Sequence, residues 1–129
     1  MAQILQSVTS DMRLITEAEI NILVEEFYRK VRMDPTIGPI FESHIEDWPS
    51  HLALLKNFWS TILLTTGAYR GSPLAAHLKL PIEQEHFERW LALFAQTATE
   101  LLPSDHATFI ISRSERIARN FQLAMAHQR

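Results

Sequence analysis

The chain has 129 residues, 47% hydrophobic and 21% charged, with a net charge of −3 and no cysteine. It fits one ordinary globular domain over 1–129, able to bury about two-thirds of the surface of its unfolded chain without a metal or disulfide staple. Disulfide and thiolate chemistry are excluded and a reducing cytoplasm is the natural setting. No basic run exceeds two residues, which speaks against nucleic acid, and no apolar run approaches the roughly 20 residues of a membrane span.

Residues 1–15 read as an N-terminal extension or short pre-helix, without the basic start, apolar middle and small-residue cleavage site of a signal peptide. Thr16-x-x-Glu19 is a capping box: the hydroxyl takes a free helix amide and the carboxylate reaches back to the cap. Ile20, Leu23, Val24, Phe27, Tyr28 and Val31 follow at helical spacing. Pro35 discourages the helix from passing Asp34. The stretch 34–41 is rich in breakers yet ends on Ile40 and Phe41, so this corner must fold back on the core.

A second helix is expected from Asp47 to Pro49 onward, proline being tolerated in a first turn. His51, Leu54, Leu55, Phe58, Trp59 and Ile62 share its inner face, and Gly67 stops it. Ser72-Pro73 opens a short helix, 74–78, which Pro81 ends. A third long helix runs from about Glu83 to Leu101 with Phe87, Trp90, Leu91, Phe94 and Leu101 inward. The last runs from Ser104 to about His127 on Ile110, Ile111, Ile117, Ala118, Phe121 and Met125. No segment alternates with the period of a half-buried strand, so the fold class is all-α.

Function should show as polar groups where this pattern demands apolar ones. Tyr28, His51 and Trp90 are such groups, each a hydrogen-bonding atom on a largely apolar body. From pattern alone each reads first as a core residue, and His77, between two breakers, as a surface histidine. Residue type by itself ranks His51 above His77 as a ligand. No His-Glu-x-x-His zinc helix, glycine-rich phosphate loop or serine nucleophile motif is present. A helical interaction module whose aromatics are only core stays open on this basis.

Ordered motifs carry a further reading. They are Phe27-Tyr28-Arg29-Lys30-Val31-Arg32, then Asp34-Pro35 and Ile37-Gly38-Pro39-Ile40-Phe41. Trp48-Pro49-Ser50-His51-Leu52 and Phe58-Trp59 follow. Tyr69-Arg70-Gly71-Ser72-Pro73, His77-Leu78-Lys79-Leu80-Pro81 and His86-Phe87-Glu88-Arg89-Trp90-Leu91 complete the set. In this order and spacing, from about Thr16 to Gln122, the chain resembles the truncated haemoglobins, and within them group III, which lack the paired glycines of the other two groups.

The resemblance implies a truncated-globin two-over-two helical sandwich around a haem b (iron protoporphyrin IX). His77 matches the proximal iron ligand, with His86, nine residues on, as the alternative. Tyr28 and Trp90 match the polar pair on the ligand side, His51 the distal position facing the ligand, and Phe41 the aromatic on the porphyrin. Leu55, Phe58 and Leu78 are expected to line the cofactor. A five-coordinate iron leaves one position for O2, NO or another diatomic ligand. A phenol O–H and an indole N–H can both donate to a ligand that gains negative charge.

Tight oxygen binding is ill suited to transport and well suited to redox detoxification: nitric oxide dioxygenation to nitrate, or a peroxidase-like reaction. A separate reductase is then expected as partner, because no reductase or signalling domain is evident on this chain. The alternative is an O2 or NO capture or sensing module without turnover. Neither nucleic acid nor membrane is expected as a partner, and the chain is expected to be a monomer or weak homodimer.

Overall fold

The computed structural model describes residues 15–64 and 82–128, and over these it holds five helices and no strand. They are α1 (Glu17–Met33), α2 (Gly38–His44), α3 (Trp48–Leu64), α4 (Gln84–Leu101) and α5 (Ser104–Gln128). α1 packs against α2, α3 and α4, and α4 packs in turn against α5. The expected short helix at 74–78, the stop at Gly67 and the N-terminal extension lie outside the described residues.

α1 forms as its sequence dictates. The Thr16 hydroxyl accepts the Glu19 amide at 3.1 Å, and Glu19 accepts the Thr16 amide at 3.0 Å. All six residues of the expected stripe, Ile20, Leu23, Val24, Phe27, Tyr28 and Val31, are buried. Asp34 ends the helix in extended conformation, as a residue before proline prefers.

The corner after it is more ordered than its breakers suggest, because it contains α2. The Asp34 carboxylate accepts the Thr36 and Ile37 amides at 3.0 and 3.1 Å, and the Asp34 carbonyl accepts the Gly38 amide at 2.9 Å. Pro39 occupies the first turn, where its missing N–H costs nothing. Gly38 is required by space: a Cβ there would lie 2.8 Å from the Arg32 carbonyl oxygen and 2.9 Å from that of Val31. That close approach turns Ile37 and Phe41 into the interior.

α3 starts where Asp47 accepts the Ser50 amide at 3.2 Å and hydroxyl at 2.7 Å. α4 starts at a Glu83 cap whose reciprocal partner is His86. Its inward residues differ from expectation at one end. Leu101 is 40% exposed while Leu102 is buried, because the helix ends at Leu101 and the extended Leu102 turns inward. Leu93, Thr97 and Ala98, absent from the expected stripe, are buried, and the Thr97 hydroxyl is satisfied by the Leu93 carbonyl at 2.7 Å.

The apolar core falls into two clusters. The larger joins α1 to Phe41, Trp48, Trp59, Phe94 and Ile110; the smaller holds Ile82, Phe87, Ala118 and Met125, with Ile40, Leu91 and Phe121 packed against it.

Candidate functional site

Between these clusters lies a cavity of about 180 Å³. Its walls come from four faces: Ile37, Ile40 and Phe41 at the corner; Leu54, Leu55 and Phe58 on α3; Phe87 and Trp90 on α4; Ile117, Ala118 and Phe121 on α5. Tyr28, His51, Trp59 and His86 also reach it. Tyr28, Phe41 and Trp59 belong to the larger core cluster, while Ile82, Phe87 and Ala118 belong to the smaller.

Tyr28, Phe41, His51, Leu55, Phe58 and Trp90, singled out from the sequence, all border this one cavity. They come from four helices and span residues 28 to 90. His77 and Leu78 lie outside the described residues. Leu54 keeps its expected direction but is 53% exposed, on the part of α3 that borders the cavity. Sequence reasoning passed over Ile37, Ile82, Phe87, Ile117, Ala118 and Phe121 as wall residues.

One end of the cavity is an aromatic cage. Phe27 meets Tyr28, Trp90 and Phe94 edge-on at ring distances of 4.7, 5.2 and 5.1 Å. Trp90 stacks on Phe94 at 5.2 Å with 10° between planes, and Phe94 stacks on Trp59 at 5.2 Å. Offset and edge-on arrangements of this kind add roughly 0.5–1.5 kcal/mol per pair beyond burial. They fix the Trp90 ring beside Tyr28.

The Tyr28 hydroxyl is pushed up to about 12 by burial, with the hydrogen bond from the Trp90 indole drawing it partly back. Trp carries only a donor, so the indole N–H donates and the phenol oxygen accepts. The phenol proton therefore stays in place at neutral pH. His51 presents its ring nearly at right angles to Tyr28 at 6.1 Å and to Trp48 at 5.7 Å. The Arg32 guanidinium covers Trp48, 4.5 Å from its ring, a favourable cation–π arrangement. Among the described residues the buried Trp48 indole nitrogen has no hydrogen-bond partner. His86 accepts the Glu83 amide through Nδ1 at 2.8 Å, which ties that ring to the start of α4.

The cavity is therefore apolar on its broad faces, with a phenol and an indole paired at one end and imidazoles at its margin. Such walls suit a flat, largely apolar group that would join the two halves of the core, and the polar end suits a small ligand able to accept hydrogen bonds. The class defined by this fold and cavity is a truncated globin, a two-over-two helical sandwich.

The comparisons agree. Residues 14–123 match the family described as bacterial-like globin. Group 3 truncated hemoglobin ctb from Campylobacter jejuni is 42% identical over 113 residues, which cover 84% of this chain and 89% of that protein. The crystal structure of a group III truncated hemoglobin from Campylobacter jejuni superposes with a TM-score of 0.82 at 40% identity, covering 86% of this chain and 91% of that one. The chain belongs to the bacterial-like globin family. Membership implies haem, with small diatomic ligands at its iron, and the apolar walls and donor pair fit that group. No helix among the described residues is long and apolar enough to cross a membrane.

Proposed function

We propose that the chain, as a single globin domain in the cytoplasm, holds haem b through His77 and binds oxygen tightly for redox detoxification. The observation that carries this is that the buried Tyr28 phenol and the Trp90 indole both border one apolar cavity. When bound, haem supplies an iron with one position for a diatomic ligand. The chain supplies everything around it. Phe41, Leu55, Phe58 and Leu78 pack on the porphyrin, and their apolar surface excludes the bulk water that promotes oxidation.

On the ligand side the division of labour follows from the chemistry of the two donors. Trp90 holds the Tyr28 oxygen, and the Tyr28 proton is retained at neutral pH because burial raises its pKa to about 12. That proton can donate to a ligand that has drawn negative charge. His51, on the adjoining wall, completes the polar side. A hydrogen bond to a charged acceptor contributes about 1.5–3 kcal/mol, which slows ligand escape by roughly 10- to 150-fold per good donor. Retention on this scale suits a ligand kept for reaction. Nitric oxide dioxygenation or a peroxidase-like reaction fits, with electrons from a separate reductase.

Stopped-flow measurement of oxygen dissociation from the ferrous protein tests the proposal. Tyr28→Phe with Trp90→Phe should accelerate release by at least tenfold; an unchanged rate would sink the reading. Turnover of nitric oxide with a supplied reductant separates an enzyme from a capture or sensing module. His77→Ala should abolish the native haem spectrum, and its persistence would remove His77 as the iron ligand.

A further inference from the structure

Tyr28 and Trp90 sit on different helices, so their pairing depends on how α4 is set against α1. Two ion pairs join these helices. Lys30 meets Glu100 through two flexible side chains, the glutamate half-exposed. Arg89 donates from Nε to Asp34 Oδ1 at 2.7 Å, and the Asp34 side chain is only 3% exposed.

The second pair is built differently from the first. Arg89 directly precedes Trp90, and Asp34 closes the helix that carries Tyr28. The Asp34 carboxylate also holds the Thr36 and Ile37 amides, so it accepts three donors. Its carbonyl takes the Gly38 amide that starts α2, the helix bearing Phe41. One aspartate thus ties together the three elements that deliver Tyr28, Phe41 and Trp90 to the cavity. Each residue step turns a helix by roughly 100°, so a small rotation of α4 would carry the Trp90 indole off the Tyr28 oxygen.

We infer that Asp34 and Arg89 are positioning residues that set the Tyr28–Trp90 donor pair, and through it the retention of ligand. The inference rests on the proposed ligand role of that pair. Neither residue lines the cavity, so neither touches a ligand there; both act through α4. The Asp34 carboxyl stays ionised well into acid: burial raises its pKa, but bonds from Arg89, Ile37 and Thr36 lower it further, to below its ordinary value.

The test uses the ferrous carbon monoxide form of the full chain, with two readouts. One is the carbon–oxygen stretching frequency, which responds to nearby hydrogen-bond donors. The other is the Trp90 indole N–H resonance, one of three tryptophan signals in the chain. Asp34→Asn keeps an oxygen for the Thr36 and Ile37 amides while removing the charge facing Arg89. Arg89→Gln removes the other partner. Both should shift the stretch and the Trp90 resonance and speed oxygen release several-fold, less than Trp90→Phe does. Arg89→Lys, which restores the charge without the planar fork, should recover part of the shift. Lys30→Gln should move neither readout.

If Arg89→Gln and Asp34→Asn leave both readouts at wild-type values while Trp90→Phe moves the stretch, the positioning role is wrong and the donor pair stands. Equal shifts from Lys30→Gln and Arg89→Gln would also overturn it, since any loosening of the helix pair would then suffice. If Tyr28→Phe and Trp90→Phe leave the stretch unmoved, the ligand role of the pair falls, and the indole resonance of Arg89→Gln still decides the positioning of Trp90 separately.

Discussion

α1 and α3 are both 17-residue helices with an apolar stripe at helical spacing, yet they use it differently. The stripe of α1 is wholly buried against α2, α3 and α4. The stripe of α3 is buried at Trp59, but His51, Leu55 and Phe58 are half-buried and Leu54 is 53% exposed. Those four residues line the cavity together with the buried Trp59. Apolar surface that protein covers only in part is costly to leave in water. We propose that this face takes up the family's haem, so that α1 is packed for the fold and α3 in part for the cofactor.

That contrast predicts a graded set of stability losses in the haem-free protein, measured by urea unfolding. Phe27→Ala, which removes the ring that three aromatics meet, should cost about 3–5 kcal/mol. Asp34→Asn, at the end of α1, should cost on the order of 1 kcal/mol, discounted because the Arg89 side chain is 46% exposed. Its deficit depends on pH in a fixed direction. The folded Asp34 pKa lies below its ordinary value of 3.8, so the stability it adds is present above that value and lost as pH falls through the lower folded pKa. The gap between wild type and Asp34→Asn should therefore close below about pH 4; a gap that persists there would remove the carboxylate from the explanation. Leu54→Ala should cost less than about 0.5 kcal/mol, as exposed substitutions do, while weakening haem retention. A loss as large as that of Phe27→Ala would mean that α3 is packed like α1.

The same contrast explains what could be read from sequence. The capping box at Thr16 and the whole inner stripe of α1 were legible because local rules and protein packing point the same way. The direction of Leu55 and Phe58 was legible for the same periodic reason, but whether they face side chains or space was not, since periodicity reports apolarity and not its partner. α2 was hidden under Pro35, Gly38 and Pro39, because the Asp34 carboxylate and the Gly38 contact that organise it are three-dimensional. The exchange of Leu101 for Leu102 at the end of α4 turned on a helix boundary. Asp34 and Arg89 lie 55 residues apart, and no local pattern joins them. The likeness of the ordered motifs to group III truncated haemoglobins, not residue type, singled out Phe41 and grouped Tyr28, His51 and Trp90 as one polar side. His77 rests on that likeness and on the family, since it lies outside the described residues.

The most direct measurement is a titration of the haem-free protein with haem, followed in the Soret region and paired with urea unfolding. A saturable intense band at one haem per chain is predicted, with stability rising as haem is added because binding favours the folded state, and with Leu54→Ala and Phe58→Ala lowering affinity. Absence of the band, or a band without any gain in stability, would contradict the assignment of the α3 face to haem.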